Sequence, residues 1–187
     1  MRSHLRESFN LLVNPYRFFS KIHVKNIYDG GFRFAIVNVL SFSFLIGLAL
    51  FLLGPDKKTF FVSIILVVAL VISGIVELFI FSISFHLFLK MMGARREFEA
   101  TFGVVSYSSA VLLYAWILPL VVFVPFHVLY VLSSGFMRVH KVSRLRAIAA
   151  IVLPFAIGGL MLYVLIYSAG LDGIINLLRA FYAVKIF

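Results

Sequence analysis

Five long apolar stretches, parted by short charged gaps, constrain this chain more than any other feature of its sequence. They run at 34–53, 60–89, 101–118, 120–136 and 147–168. A helix rises about 1.5 Å per residue and needs about 20 mainly apolar residues to cross about 30 Å of hydrocarbon. Most of the five meet that length. Soluble domains are about half apolar, whereas 63% of this chain is apolar and its mean hydropathy is +1.11. The sequence predicts an all-α, polytopic integral membrane protein: five transmembrane helices at 34–168, an N-terminal amphipathic region at 1–33 and an amphipathic tail at 169–187.

The distribution of charge predicts an orientation. Thirteen of the seventeen Lys and Arg residues lie in alternate gaps: Arg2, Arg6, Arg17, Lys21, Lys25 and Arg33, then Lys90, Arg95 and Arg96, then Arg138, Lys141, Arg144 and Arg146. Only Lys57, Lys58, Arg179 and Lys185 fall on the other side. Cytoplasmic loops are enriched in Lys and Arg, which places the N-terminus in the cytoplasm and the C-terminus outside, in a prokaryotic cell membrane or alternatively that of the ER or Golgi. The formal charge of +10 is therefore read as orienting the chain and meeting anionic lipid, not as a footprint for nucleic acid. Cysteine is absent, so disulfides and thiolate metal sites are excluded. Charges interrupt the first 25 residues, so a cleaved signal peptide is not expected.

The uncharged run 101–135 would make a helix of about 52 Å, too long for one crossing. A hairpin near Trp116–Pro119 is expected instead. Pro119 disfavours helix in the residue before it, and Trp116 suits the headgroup level. The second stretch is long for a crossing and is expected to tilt or project near His86 and Lys90.

Ahead of the first span, Leu5, Phe9, Leu12 and Val13 repeat at helical spacing opposite Arg6, Glu7 and Asn10. A second helix is expected from Pro15, a favoured first position, with Arg17, Lys21 and Lys25 in a basic strip. Two readings stand: a helix lying in the membrane interface, or one packed on the ends of the spans. Asp29-Gly30-Gly31 is expected to form the turn into the first span. In the tail, Asp172, Asn176 and Arg179 share one helical face.

Glu77 is the one acid inside a span. An acid at the centre of a bilayer costs about 2.5–3.5 kcal/mol on insertion scales, so it is expected to face protein or water. Ser73 lies one turn away. Glu77, Tyr114 and His127 fall about 19, 20 and 16 Å from their cytoplasmic ends and are expected to meet, while Gly158-Gly159 allows close helix approach. The cluster reads either as a proton- or cation-responsive site or as a polar lock on helix packing. The histidines lack metal-ligand spacing such as HExxH, and no nucleophile elbow or phosphate-binding loop is present. Neither a cofactor, a metal nor a catalytic residue is expected.

Several stretches have a familiar order. Asn14-Pro15-Tyr16-Arg17-Phe18-Phe19, then Met92 to Phe102 with Gly93, Arg95 and Phe98, then Val104-Val105-Ser106-Tyr107-Ser108, then His140, Ser143 and Ala147 resemble the successive motifs of the Yip-one domain family. That resemblance implies a membrane protein of vesicle trafficking, without established enzymatic activity, from a family named for interaction with small GTPases. The chain lacks the long polar N-terminal region of eukaryotic members and has Ala110-Val111-Leu112 where many relatives carry a proline. A compact prokaryotic member is expected, without GTPase binding. Its role is read as a scaffold or adaptor in membrane organisation or trafficking, in contact with anionic lipid through Arg17, Lys21, Lys25, Arg138 and Lys141, and associating with itself or other membrane proteins. The alternative is a small proton- or ion-coupled transporter or channel using Glu77 and His127.

Overall fold

A computed structural model describes residues 2–22 and 26–183, with side-chain surroundings from His4 to Ser168 apart from 23–25, Leu118 and Leu165. The helices are α1 (Arg2–Val13), α2 (Pro15–Lys21), α3 (Ile27–Leu53), α4 (Lys57–Met91), α5 (Phe98–Ser108), α6 (Leu112–Ala115), α7 (Val124–His140) and α8 (Arg144–Ala183). Tight 3₁₀ turns at Ser109–Val111 and Leu118–Phe123 join α5 to α6 and lead into α7. Among the described residues there is no strand. Five segments are long and apolar enough to cross a membrane: Ile27–Leu53, Lys57–Met91, Phe98–Ala115, Pro119–His140 and Arg144–Ser168. The architecture is the one the apolar stretches predict.

Local chemistry sets the helix ends. Asn14 caps α2 by accepting from the Arg17 amide at 3.1 Å, with Pro15 first in the helix. Asp56 caps α4 through the Thr59 amide at 2.6 Å; that amide holds the Asp56 carboxyl below its ordinary value. At the far end of α4, Gly93 takes φ +87°. Its amide bonds to the Lys90 carbonyl and the Ala94 amide to that of Leu89, a Schellman closure that requires the left-handed conformation only glycine adopts freely. The break after α6 falls at Ile117, whose backbone is extended.

Two boundaries differ from the sequence reading. Asp29-Gly30-Gly31 is not a turn, because α3 already begins at Ile27 and runs through it. Packing overrides the weak helix propensity of glycine here: a methyl on Gly31 would lie 3.0 Å from the Gly103 carbonyl oxygen, and one on Gly103 would lie 2.6 Å from that of Ile27. The two glycines let α3 and α5 cross backbone to backbone. The second difference is in α8, which continues unbroken through Gly170 to Ala183. The polar face expected at Asp172, Asn176 and Arg179 lies outside the residues whose side chains are described.

The chain divides into two compact units, 1–151 and 152–187. In the first, α5 is the central element, buried from Ala100 through Ser106 and packed by α3, α4 and α7. α2 lies on α7, and α1 on α2. Phe102, Val104, Val131 and Phe136 are sealed inside. The second unit is the continuation of α8 beyond Ile151. In it Leu160, Met161, Leu162 and Tyr163, which together cover a full turn, are all more than half exposed. A helix apolar all round has hydrocarbon as its solvent. Gly158 and Gly159 fall within this second unit.

Candidate functional site

The most constructed feature of the first unit is the seat of α1 and α2, held by aromatic packing and by two polar networks; a third polar network, centred on Thr101, ties three of the spans together. α1 turns one edge of its apolar side to the bundle and the other away from it. Ser8 and Leu11 are buried at 1% and 0% exposure, with His4 and Leu12 partly buried, whereas Leu5, Phe9 and Val13 stand out at 53%, 67% and 62%. The apolar arc of α1 is wide enough to be split. One edge meets the bundle and the other forms an outward stripe one turn apart.

Two histidines fasten α1. His4 Nε2 donates to Asn38 Oδ1 at 2.9 Å, and Asn38 Nδ2 donates to Ser109 Oγ at 3.0 Å. Asn38 is fully buried, so an amide that would be costly in an apolar span is satisfied from both sides. Further along, His127 Nε2 donates to the Leu12 carbonyl at 3.0 Å, and its Nδ1 accepts from the Tyr114 hydroxyl at 2.6 Å. A neutral imidazole has one donor and one acceptor nitrogen, and both are engaged here.

The third network lies at the start of α5. The Thr101 hydroxyl stands 2.8 Å from His86 Nδ1 and 3.1 Å from His140 Nε2. It has one proton to give, so it donates to one ring and accepts from the other. His140 is buried to 4% exposure, and its Nδ1 has no partner among the described residues. This bridge ties α4, α5 and α7 together.

Aromatic packing completes the seat. Tyr107 is the hub, with ring centroids 5.3, 6.3 and 5.0 Å from those of Phe18, Phe19 and Phe34. Pro15 is fully buried. Gly135 admits the Phe19 ring, which would stand 2.9 Å from an added methyl. Phe98 sets its ring edge-on to His86 at 5.7 Å. Thus Pro15, Phe98, Tyr107 and His140 all join one packed system, while Gly93 ends the helix that leads to it.

Of the polar residues singled out at membrane depth, Tyr114 and His127 meet. Glu77 and Ser73 are not brought to them. Both are exposed on α4, Ser73 bonds back to the Leu70 carbonyl, and neither nitrogen of His127 is free to receive Glu77. Helical depth alone put these groups at one level; rotation about α4 turns two of them away. The residues read as lipid contacts fall into two grooves. Arg17 and Lys21 line one of about 720 Å³ between α1 and α2, with Arg6, Glu7 and Tyr107. Arg138 and Lys141 line another of about 570 Å³, with Arg96 and Tyr16. Lys25 lies outside the described residues. Sequence reasoning missed Asn38 and Thr101, although Asn38 is the only amide in the first apolar stretch and so carried a signal.

The fold and this seat define a class: multispan helical membrane proteins whose N-terminal helices are bonded onto the bundle. A family model, the Yip1 domain, matches residues 9–166, from α1 into the last span. The chain belongs to the Yip1 domain family. No curated protein and no solved structure matches it.

Proposed function

We propose that this protein is a non-enzymatic membrane scaffold or adaptor that uses its N-terminal helix pair to associate with itself or with other membrane proteins. The observation that carries this reading is the outward stripe of Leu5, Phe9 and Val13 on a helix whose other side is fixed by His4 and by the Leu12 carbonyl. Such a stripe on a rigid support is suited to hydrocarbon or to an apolar partner surface. In this reading the basic end faces the cytoplasm, with the N-terminus inside and the C-terminus outside. The meeting of α2, Arg96 and Lys141 around one groove supports a common side for these basic segments.

The transporter reading has less support, since Glu77 faces outward and His127 is fully engaged. The test is self-association of labelled full-length chains in proteoliposomes, read by energy transfer. Wild type is expected to associate, and replacing Leu5, Phe9 and Val13 together by serine to reduce it. A wild type that stays monomeric at every density removes self-association. Sustained pH-dependent ion flux, abolished by Glu77→Gln, would replace the proposal with the alternative.

A further inference from the structure

The groove beside α7 has a composition that neither the bundle packing nor the scaffold reading requires. Three cations from separate segments converge on it: Arg96 from the loop before α5, Arg138 from the last turn of α7, and Lys141 from the residue after it. No Asp or Glu is among its lining residues, and none of the three cations makes an ion pair among the described residues. Gathering like charges without a counter-ion is unfavourable unless an anion completes the set.

Two further features mark the place as built. The Arg138 guanidinium stands 5.6 Å over the centre of the Tyr16 ring, an arrangement that restrains it and leaves its edge donors free. Lys141 adopts φ 54°, ψ 37°, the left-handed region that a lysine enters at a cost. Ile22 and Met137, both partly exposed, supply an apolar wall to the same groove. Cations on one side and apolar surface on the other suit an amphiphile better than a free ion.

We propose that this groove binds the phosphate of an anionic membrane lipid, with Arg96, Arg138 and Lys141 around the headgroup and the apolar wall against the first part of the acyl chains. Free phosphate shares the headgroup chemistry but gains nothing from Ile22 and Met137. The site rests on the proposed reading for the leaflet it meets, not for any partner.

The test uses the full-length protein in neutral detergent micelles, with phosphatidic acid and phosphatidylcholine offered at equal concentration and retention read by native mass spectrometry. Each cation near an anionic surface is worth about a fivefold change in retention. Replacing Arg96, Arg138 and Lys141 together by glutamine is therefore expected to lower phosphatidic acid retention on the order of a hundredfold. Replacing Arg17 and Lys21 by glutamine, in the other groove, is expected to leave it within a fewfold. Single Arg96→Gln, in an exposed loop, and Lys141→Gly, which suits the backbone, keep the result readable if the triple variant does not fold; each is expected to lose about fivefold. Unchanged retention in these variants, or equal loss in the Arg17/Lys21 variant, overturns the site. Displacement of the lipid by millimolar inorganic phosphate overturns the lipid assignment. Self-association in proteoliposomes is expected to survive the cation replacements, so failure here is distinguishable from failure of the scaffold reading.

Discussion

Gly103→Ala tests the centre of the fold with one carbon. The added methyl would meet the Ile27 carbonyl oxygen at 2.6 Å and the Ile27 carbonyl carbon at 2.9 Å, against ordinary contact at 3.4 Å or more. Two of the three nearest atoms are backbone, so no rotamer change in α3 relieves the clash, and the helices must part by about 0.8 Å there. A gap of 0.5–1 Å forfeits a quarter to a half of each dispersion contact along a packed face. Overpacking at such a site costs about 1–3 kcal/mol, and the rigid neighbours place this one at the upper end. Alanine recovers up to about 1 kcal/mol of helix propensity. The net expectation is a loss of about 2 kcal/mol. The assay is reversible denaturation of the full chain in mixed micelles, with Gly158→Ala and Gly159→Ala as controls, since nothing lies within 4 Å of either added carbon. These are expected to be neutral or slightly stabilising. If Gly103→Ala matches wild type, or the controls lose as much, the inferred α3–α5 crossing is wrong.

His127→Ala leaves the Leu12 carbonyl and the Tyr114 hydroxyl unpaired and is expected to cost about 1–3 kcal/mol, seen as faster amide exchange in α1 than in α4. Asn38→Leu removes the partner of His4 and is expected to loosen the start of α1 while leaving its end protected, which residue-resolved exchange distinguishes. Gly93→Ala must hold φ +87° and is expected to cost about 1 kcal/mol, again by denaturation in micelles. Asp56 stabilises the start of α4 as a carboxylate, and its folded value lies below the ordinary 3.8. That contribution is therefore present above pH 3.8 and lost as pH falls through the lower folded value; amide exchange in the first turn of α4 is expected to quicken in acid, and Asp56→Ala to abolish the pH effect.

The spans were legible because the bilayer imposes a length and a polarity that a single sequence displays. The seat of α1 was not. Leu5, Phe9 and Val13 fitted a face toward lipid or a face toward the spans, because hydropathy does not say which side of an apolar arc meets protein; the buried polar groups Asn38 and Ser109 decided it by drawing His4 inward. Glycine misled in the same way at Gly30-Gly31, where absence of a side chain serves a helix crossing and not a turn. Tyr107 stood out only through the family resemblance, and its contacts with Phe18 and Phe34 depend on three segments far apart in sequence. The pairing of Tyr114 with His127 was within reach because a hairpin brings equal depths together. Glu77 escaped because depth fixes a level and not a bearing around the helix.

The bond from His127 to the Leu12 carbonyl spans 115 positions of chain. During synthesis, α1 leaves the ribosome long before the residue that will hold its far end exists. Until the fourth crossing has been inserted, that nascent helix can be held only near its start, by His4 on Asn38 of the first crossing, and its far end must be lodged elsewhere. The surface of the bilayer is the one host at hand with both a greasy interior and a negative skin, so the finished seat is reached by exchanging lipid for protein.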